Sequence, residues 1–161
     1  HSVEPRLLTY SSPVLTVDLE ITGQPIAELY ASSSAVDTDF VVRLCDVYPD
    51  GRAMLVDEGI LRARFRDSFT EPKVLTPGAI ERFRIPLSPT SIVLPAGHRL
   101  RLHVASSSFP RWHPNTGTAE SSWLATTAYR ADNAIYRGPG HPSSLRLPIR
   151  SALHFTSDRA D

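Results

Sequence analysis

Asp37 and Asp39, separated by Thr38 and followed by an apolar run, are the first side chains able to do chemistry. Alternate residues of a strand share a face, so the two carboxylates could together hold calcium. The plainer expectation is that such short acidic side chains bond nearby backbone and shape the start of the strand. His98 and His103 fall on one predicted strand at a spacing that points their rings to opposite faces, so they cannot share a metal unaided. His113 and His141 each precede proline, which favours extended loop backbone. A serine nucleophile on a strained elbow requires Gly-x-Ser-x-Gly, and no such run exists in the sequence. Ser106-Ser107-Ser108 lacks the glycines for that turn and reads as polar residues opening a loop. Glu71 and Glu81 could act as a carboxylate pair, but nothing in the sequence sets their separation. No glycine loop suited to phosphate occurs. Cys45, the single cysteine, sits in an apolar run and reads as a small core filler rather than a catalytic thiol. The expectation is a chain without catalytic residues, metal or cofactor.

Two sets of residues remain as candidates for contact. Arg62, Arg64 and Arg66, with Arg82 and Arg84 and with Arg99 and Arg101, alternate with apolar residues and would coat the outer face of neighbouring strands. The favoured reading is a solvated face balanced by Glu58, Asp67, Glu71 and Glu81. The sharper one is a polar interface through Arg62, Arg64, Arg82 and Arg101, since arginine stems cover apolar area while their heads pair with carboxylates. The run Phe109-Pro110-Arg111-Trp112-His113-Pro114-Asn115-Thr116-Gly117 joins two aromatic rings to a long loop. Loops on rigid scaffolds concentrate binding, so Phe109, Arg111, Trp112 and Asn115 are the candidate contacts to a substrate, a sugar or another domain. The same loop could instead cap the end of the core.

The elements that position these groups follow from period-two alternation broken by proline and glycine. Leu15, Val17, Leu19 and Ile21 alternate with polar residues up to Gly23, a half-buried strand. Residues 26–32 form the next. Phe40, Val42 and Leu44 alternate with Val41, Arg43 and Cys45, apolar on both sides and therefore central. Tyr48-Pro49-Asp50-Gly51 is a turn, because proline presets its first position and glycine tolerates positive φ. Leu61, Ala63 and Phe65 oppose Arg62, Arg64 and Arg66; Phe83 and Ile85 oppose Arg82 and Arg84. Residues 98–105 place Leu100, Leu102 and Val104 inward. Short strands are expected at 134–137 and 145–149, with prolines 86, 95, 142 and 148 at strand ends. Residues 120–131 carry an indifferent apolar stripe and read as a loop with at most one helical turn. Many short strands with regular turns mean an all-β sandwich or barrel.

The chain has 161 residues, which suits one domain spanning 1–161. Its 17 basic and 17 acidic side chains cancel, which argues against nucleic acid or an anionic membrane as partner. No apolar run approaches the roughly 18 residues of a membrane span. A lone cysteine permits no intrachain disulfide and fits the reducing cytoplasm.

Taken in order, several runs resemble one family. They are Ser33-Ser34-Ala35-Val36-Asp37-Thr38-Asp39-Phe40, Asp46-Val47-Tyr48-Pro49-Asp50-Gly51-Arg52 and Asp57-Glu58-Gly59-Ile60-Leu61-Arg62-Ala63-Arg64-Phe65-Arg66. Pro95-Ala96-Gly97-His98-Arg99-Leu100-Arg101-Leu102, Ser106-Ser107-Ser108-Phe109-Pro110-Arg111 and Asn115-Thr116-Gly117 follow. Ile135-Tyr136-Arg137, leading to His141-Pro142-Ser143-Ser144-Leu145, completes them. The chain resembles the C-terminal jelly-roll domain of the cocaine esterase–like (CocE/NonD) serine hydrolases, a group that includes X-Pro dipeptidyl-peptidases and α-amino-acid ester hydrolases. That resemblance implies a galactose-binding-domain-like β-sandwich packed against an α/β-hydrolase domain of the same polypeptide, which carries the Ser, Asp and His triad. No catalytic residue of the family maps onto this sequence. The implied role is accessory: bracing the catalytic domain, shaping its substrate pocket and contributing to oligomer contacts. The jelly roll is also similar to carbohydrate-binding modules, so a sugar- or polymer-binding role for the 109–117 loop is the alternative. In that family the domain usually starts with strands upstream of the segment matching residues 7–12, so an incomplete N-terminal side is expected. Unpaired strand edges would then favour a homo-oligomer.

Overall fold

The computed structural model describes residues 7–121 and 123–150. Within them the chain forms eleven strands: β1 (Leu8–Ser11), β2 (Leu19–Gly23), β3 (Ile26–Ser33), β4 (Asp39–Val47), β5 (Ala53–Arg62), β6 (Glu81–Pro86), β7 (Thr90–Leu94), β8 (Arg99–Ala105), β9 (Asn133–Tyr136), β10 (Ser144–Arg146) and β11 (Ile149–Arg150). A single 3-10 turn covers Ala63–Phe65, and there is no α-helix among the described residues. No helix there is long and apolar enough to cross a membrane.

All strand pairs are antiparallel. One sheet runs β1-β8-β4-β5; a second runs β10-β3-β6, with β9 also paired to β3; a third, smaller one runs β11-β2-β7. The first two face each other as a sandwich. Ala27, Leu29 and Ala31 of β3 and Phe83 and Ile85 of β6 meet Phe40, Val42 and Leu44 of β4 and Val104 of β8 in one buried cluster. The rings of Phe40 and Phe83 pack 4.7 Å apart across it. The period of two expected for β3, β4, β6 and β8 is thus the period of this core. β4 lies between β5 and β8 and is buried on both faces apart from Arg43, as its two-sided apolar pattern requires. Gly51 closes the following turn with φ +89° and donates its N–H to the Tyr48 carbonyl at 2.9 Å.

Three expectations are corrected, each for a physical reason. Leu15 and Val17 precede the strand rather than forming it. Leu15 bonds by its backbone to Gly97 and His98, and Val17 is 72% exposed, so β2 begins only at Leu19. The alternation of residues 61–66 stops at Arg62, where the 3-10 turn rotates Arg64 back toward the start of β4. Residues 145–149 are two strands on different sheets. Pro148 has no N–H for a ladder, and the chain crosses there from β3 to β2. β1, β7 and the first half of β5 carry too little alternation to be read from sequence. The register of β5 on β4 also slips by one residue between Leu44 and Cys45, a bulge that inserts Val56 and exchanges the faces of β5.

Gly59 marks the tightest approach of β5 to its neighbours. A Cβ there would sit 2.6 Å from the Pro86 carbonyl oxygen and 3.3 Å from Cγ2 of Ile85. Gly59→Ala is expected to destabilise the fold by about 1–3 kcal/mol, because backbone must move to admit one methyl group. Urea denaturation of the variant beside the wild type measures it.

Candidate functional site

Asp37 and Asp39 open β4 and are fully enclosed, at 0% and 2% exposure. Two buried carboxylates demand partners, and β5 supplies them because Arg62 lies opposite Asp39 in the antiparallel register. Arg62 donates from Nε to Asp39 Oδ1 at 2.9 Å and from Nη2 to Oδ2 at 3.1 Å, the two-pronged geometry that suits a guanidinium. Arg64 donates from Nε to Asp37 Oδ2 at 2.8 Å and from its backbone N–H to Oδ1 at 3.0 Å. Asn115 bridges the pair, its Nδ2 lying 2.8 Å from both Asp37 Oδ2 and Asp39 Oδ1. Its own Oδ1 accepts the Gly117 N–H at 2.8 Å. The Asp39 hydrogen bond holds the Arg62 guanidinium above its ordinary range, opposed by burial. All four carboxylate oxygens are engaged, so this pair is a lock for arginine and not a calcium site.

The free ends of the two guanidiniums then reach into the long loop. Arg62 donates to the His113 carbonyl at 3.2 Å; Arg64 donates to the carbonyls of Thr118, Ala119 and Glu120. A second anchor holds the start of the loop. Glu58, with only 5% of its side chain exposed, receives Arg43 at 3.2 Å and Arg111. Arg111 also lies over the Trp112 ring, 4.9 Å from its centroid. The loop held in this way presents Phe109 (71% exposed) and Trp123 (78% exposed), whose indole packs 4.3 Å from the His113 ring. Leu124 and Tyr129 are also largely exposed. The stretch between Phe109 and Trp123 is thus held by arginine, and a loop held in this way carries a contact surface at lower entropic cost.

The residues singled out from sequence divide accordingly. Phe109, Arg111, Trp112 and Asn115 do share one loop, but with separate tasks: Phe109 is displayed, Trp112 is half-buried under Arg111, and Asn115 is an internal bridge. Arg62 and Arg64 are not a solvated face; they are 24% and 11% exposed and face inward. Arg82 stands on the other sheet, paired with Glu28 at 2.5 Å. With Arg146 it holds the Glu28 carboxyl below its usual range against the opposing effect of burial. Arg101 donates to Ser11 Oγ at 2.9 Å on β1. The arginines therefore do not make one continuous coat. Trp123 joins Phe109 on the exposed surface. The Asp37–Arg64 and Asp39–Arg62 pairs are not read from the sequence, although Asp-x-Asp and Arg-x-Arg share a spacing that an antiparallel pair can match.

No group of reacting side chains assembles elsewhere among the described residues. Cys45 Sγ lies 4.0 Å from His103 Nδ1, but burial pushes the thiol up. Burial and the Arg101 and Arg43 charges hold the imidazole down, so both shifts disfavour a thiolate–imidazolium pair. His98 Nδ1 lies 2.8 Å from Asp46 Oδ1 with its ring against Tyr48, an arrangement that ties β4 to the turn before β8. No serine hydroxyl bonds a histidine among the described residues, and no three metal-ligating side chains converge there. His1 and His154 lie outside the described residues.

An antiparallel jelly-roll β-sandwich whose buried charges fasten a single aromatic loop is the class that these features define. The model of one family, described as the X-Pro dipeptidyl-peptidase C-terminal non-catalytic domain, matches residues 2–146, and the chain belongs to that family. It is 43% identical over 145 residues to the cocaine esterase of Rhodococcus sp., covering 89% of this chain and 25% of that protein. Among solved structures it resembles an α-amino acid ester hydrolase (TM-score 0.88, 34% identity, 92% of this chain and 26% of that one). It also resembles an aminopeptidase from a marine sediment Thaumarchaeota archaeon (TM-score 0.89, 30% identity, 93% of this chain and 27% of that one). A CocE/NonD family hydrolase from Staphylococcus aureus, at 18% identity and TM-score 0.73, shares the fold. The chain thus spans about a quarter of the length of these relatives.

Two substitutions probe the anchors. Asn115→Ala leaves Asp37 and Asp39 paired with arginine but removes the bridge to Gly117; it is expected to lower stability by about 1–3 kcal/mol and to raise amide exchange in residues 113–120. Hydrogen exchange read by mass spectrometry checks this. Asp57, beside Glu58, has Oδ2 buried without a hydrogen-bond partner among the described residues, and burial pushes its carboxyl above the ordinary range. A raised folded-state value means that the ionised form opposes folding, so stability is lost as pH rises through it. Asp57→Asn is therefore expected to raise Tm at pH 7 and to give no gain in acid where the carboxyl is already protonated. Thermal melts across that range decide it.

Proposed function

We propose that this chain is the accessory domain of an α/β-hydrolase-type serine esterase or X-Pro dipeptidyl-peptidase-like hydrolase. It braces the catalytic domain of the same polypeptide and helps to shape the substrate pocket through the 109–117 loop and the nearby Trp123. The observation that carries this reading is the loop itself: exposed Phe109 and Trp123 flank a stretch, residues 111–120, that the buried Asp37, Asp39 and Glu58 hold through arginine. Exposed aromatics on a rigid support are the usual anchors of a protein contact, since they gain buried area at little cost in side-chain freedom. Family membership and relatives whose names are esterase, ester hydrolase and aminopeptidase support acyl transfer as the parent reaction. Interface roles for Arg82 and Arg101 belong to the same reading. So does a reducing cytoplasm, supported by the single buried thiol of Cys45.

A carbohydrate- or polymer-binding role is the second reading, favoured by the same two exposed rings. A graft separates them. Replacing the matching segment of the Rhodococcus cocaine esterase with this chain is expected to preserve ester turnover. Within the graft, Phe109→Ala with Trp123→Ala should lower kcat/KM or the Tm of the catalytic part by several degrees. An unchanged enzyme, together with glycan binding by the chain that Trp123→Ala abolishes, would transfer support to the sugar-binding reading.

Oligomer contacts through exposed strand edges complete the proposal. Among the described residues β5 pairs only with β4, and Met54 and Leu55 near its start are 53% and 52% exposed, so this edge offers both free backbone groups and apolar area to a second copy. Sedimentation is expected to show concentration-dependent association that Leu55→Glu reduces. A strict monomer at high concentration would remove this part.

A further inference from the structure

One side of the sandwich is left open. Between the β1 and β8 strands of one sheet and β3, β9 and β10 of the other lies a groove of about 310 Å³. Leu29, Leu100, Leu102, Ile135 and Leu145 form its floor and walls, and Tyr10 stands at its side. This volume lies at the small end of the roughly 300–1,000 Å³ typical of small-molecule sites. Two of its serine hydroxyls are already engaged. Ser12 Oγ accepts the Leu100 N–H at 3.0 Å, and Ser143 Oγ donates to the Tyr136 carbonyl at 2.6 Å. An apolar gap of this kind repels water and favours an apolar occupant.

At the mouth stands Arg137, just past the end of β9. Its guanidinium lies over the Tyr10 ring, 5.0 Å from the centroid, which fixes it at the rim. Among the described residues it has no carboxylate partner, and no acidic residue lines the groove. Arg43, Arg62, Arg64, Arg82, Arg111 and Arg146 engage Asp or Glu, and Arg101 a hydroxyl. Arg137 instead keeps its fork of N–H donors free beside an apolar slot.

We propose that the groove binds a small amphipathic carboxylate: an unbranched aliphatic tail between the sheets and the carboxylate on Arg137. The two halves of the ligand match the two halves of the site. The tail removes water from leucine and isoleucine side chains, and the head makes charge-assisted hydrogen bonds to a guanidinium already oriented by Tyr10.

The test uses decanoate and the 161-residue chain, with calorimetry and side-chain NMR as readouts. Decanoate is expected to bind and to shift the methyl signals of Leu100, Leu102 and Ile135. Decanol and decyltrimethylammonium, which keep the tail but lose or invert the charge, should bind at least about tenfold more weakly. Arg137→Gln, at an exposed position that leaves the core intact, should cost decanoate a similar factor and leave decanol unaffected. Ser144→Trp, at the rim, should block both. Three results overturn the proposal: no decanoate binding at millimolar concentration, equal affinity for decanoate and decanol, or an Arg137→Gln variant that binds as well as the wild type. A fourth is a dimer that Ser144→Trp dissociates and Leu55→Glu does not, for then a second copy fills the groove.

Discussion

Two aspartates buried side by side cannot be left unpaired, and the arrangement of one whole end of this sandwich follows from that. Asp37 and Asp39 are enclosed at the start of the central strand, where an isolated carboxylate would cost several kcal/mol. Arg62 and Arg64 meet that need, and in doing so they place two fixed cations at the base of the loop. The loop carbonyls of His113, Thr118, Ala119 and Glu120 turn toward those cations, and Asn115 closes the ring. A hydrophobic cluster of equal volume could stabilise the sandwich as well. It could not specify where four loop carbonyls go.

This explains a division of labour between the two kinds of core. The apolar one, centred on Phe40 and Phe83, holds the sheets face to face and has no directional preference beyond packing. The polar one is directional and lies at the edge, where the 3-10 turn at Ala63–Phe65 breaks the strand so that Arg64 can face back to Asp37. A strand continued through Ala63 would have kept Arg64 on the alternation expected of residues 61–66 and left the carboxylate without its partner. The interruption of regular structure is thus part of the anchor.

The same economy of charge sets apart the chain's two exposed features. Glu58, Asp37, Asp39 and Glu28 each hold one or more arginines, so the surface that remains is largely aromatic at the long loop and apolar at the open side of the sandwich. A family whose members match this chain over about a quarter of their length uses such a domain beside other parts of a larger polypeptide.

Alternation by itself determined the all-β class, the central position of β4, the inward faces of β6 and β8 and the turn at Gly51, because each depends on a residue and its near neighbours. The runs of residues shared with one family were equally legible, and family membership followed from them. What alternation could not decide was any feature set by a distant partner. Leu15 was drawn from strand to bridge by Gly97 and His98, and residues 145–149 were divided because Pro148 falls where the chain changes sheets. Asn115 read as a contact residue until Asp37 and Asp39, far away in sequence, claimed its amide. The arginine rows had one pattern in the sequence and three different surroundings in the fold. A side chain's type tells what it can bond to; only the tertiary register tells which partner arrives.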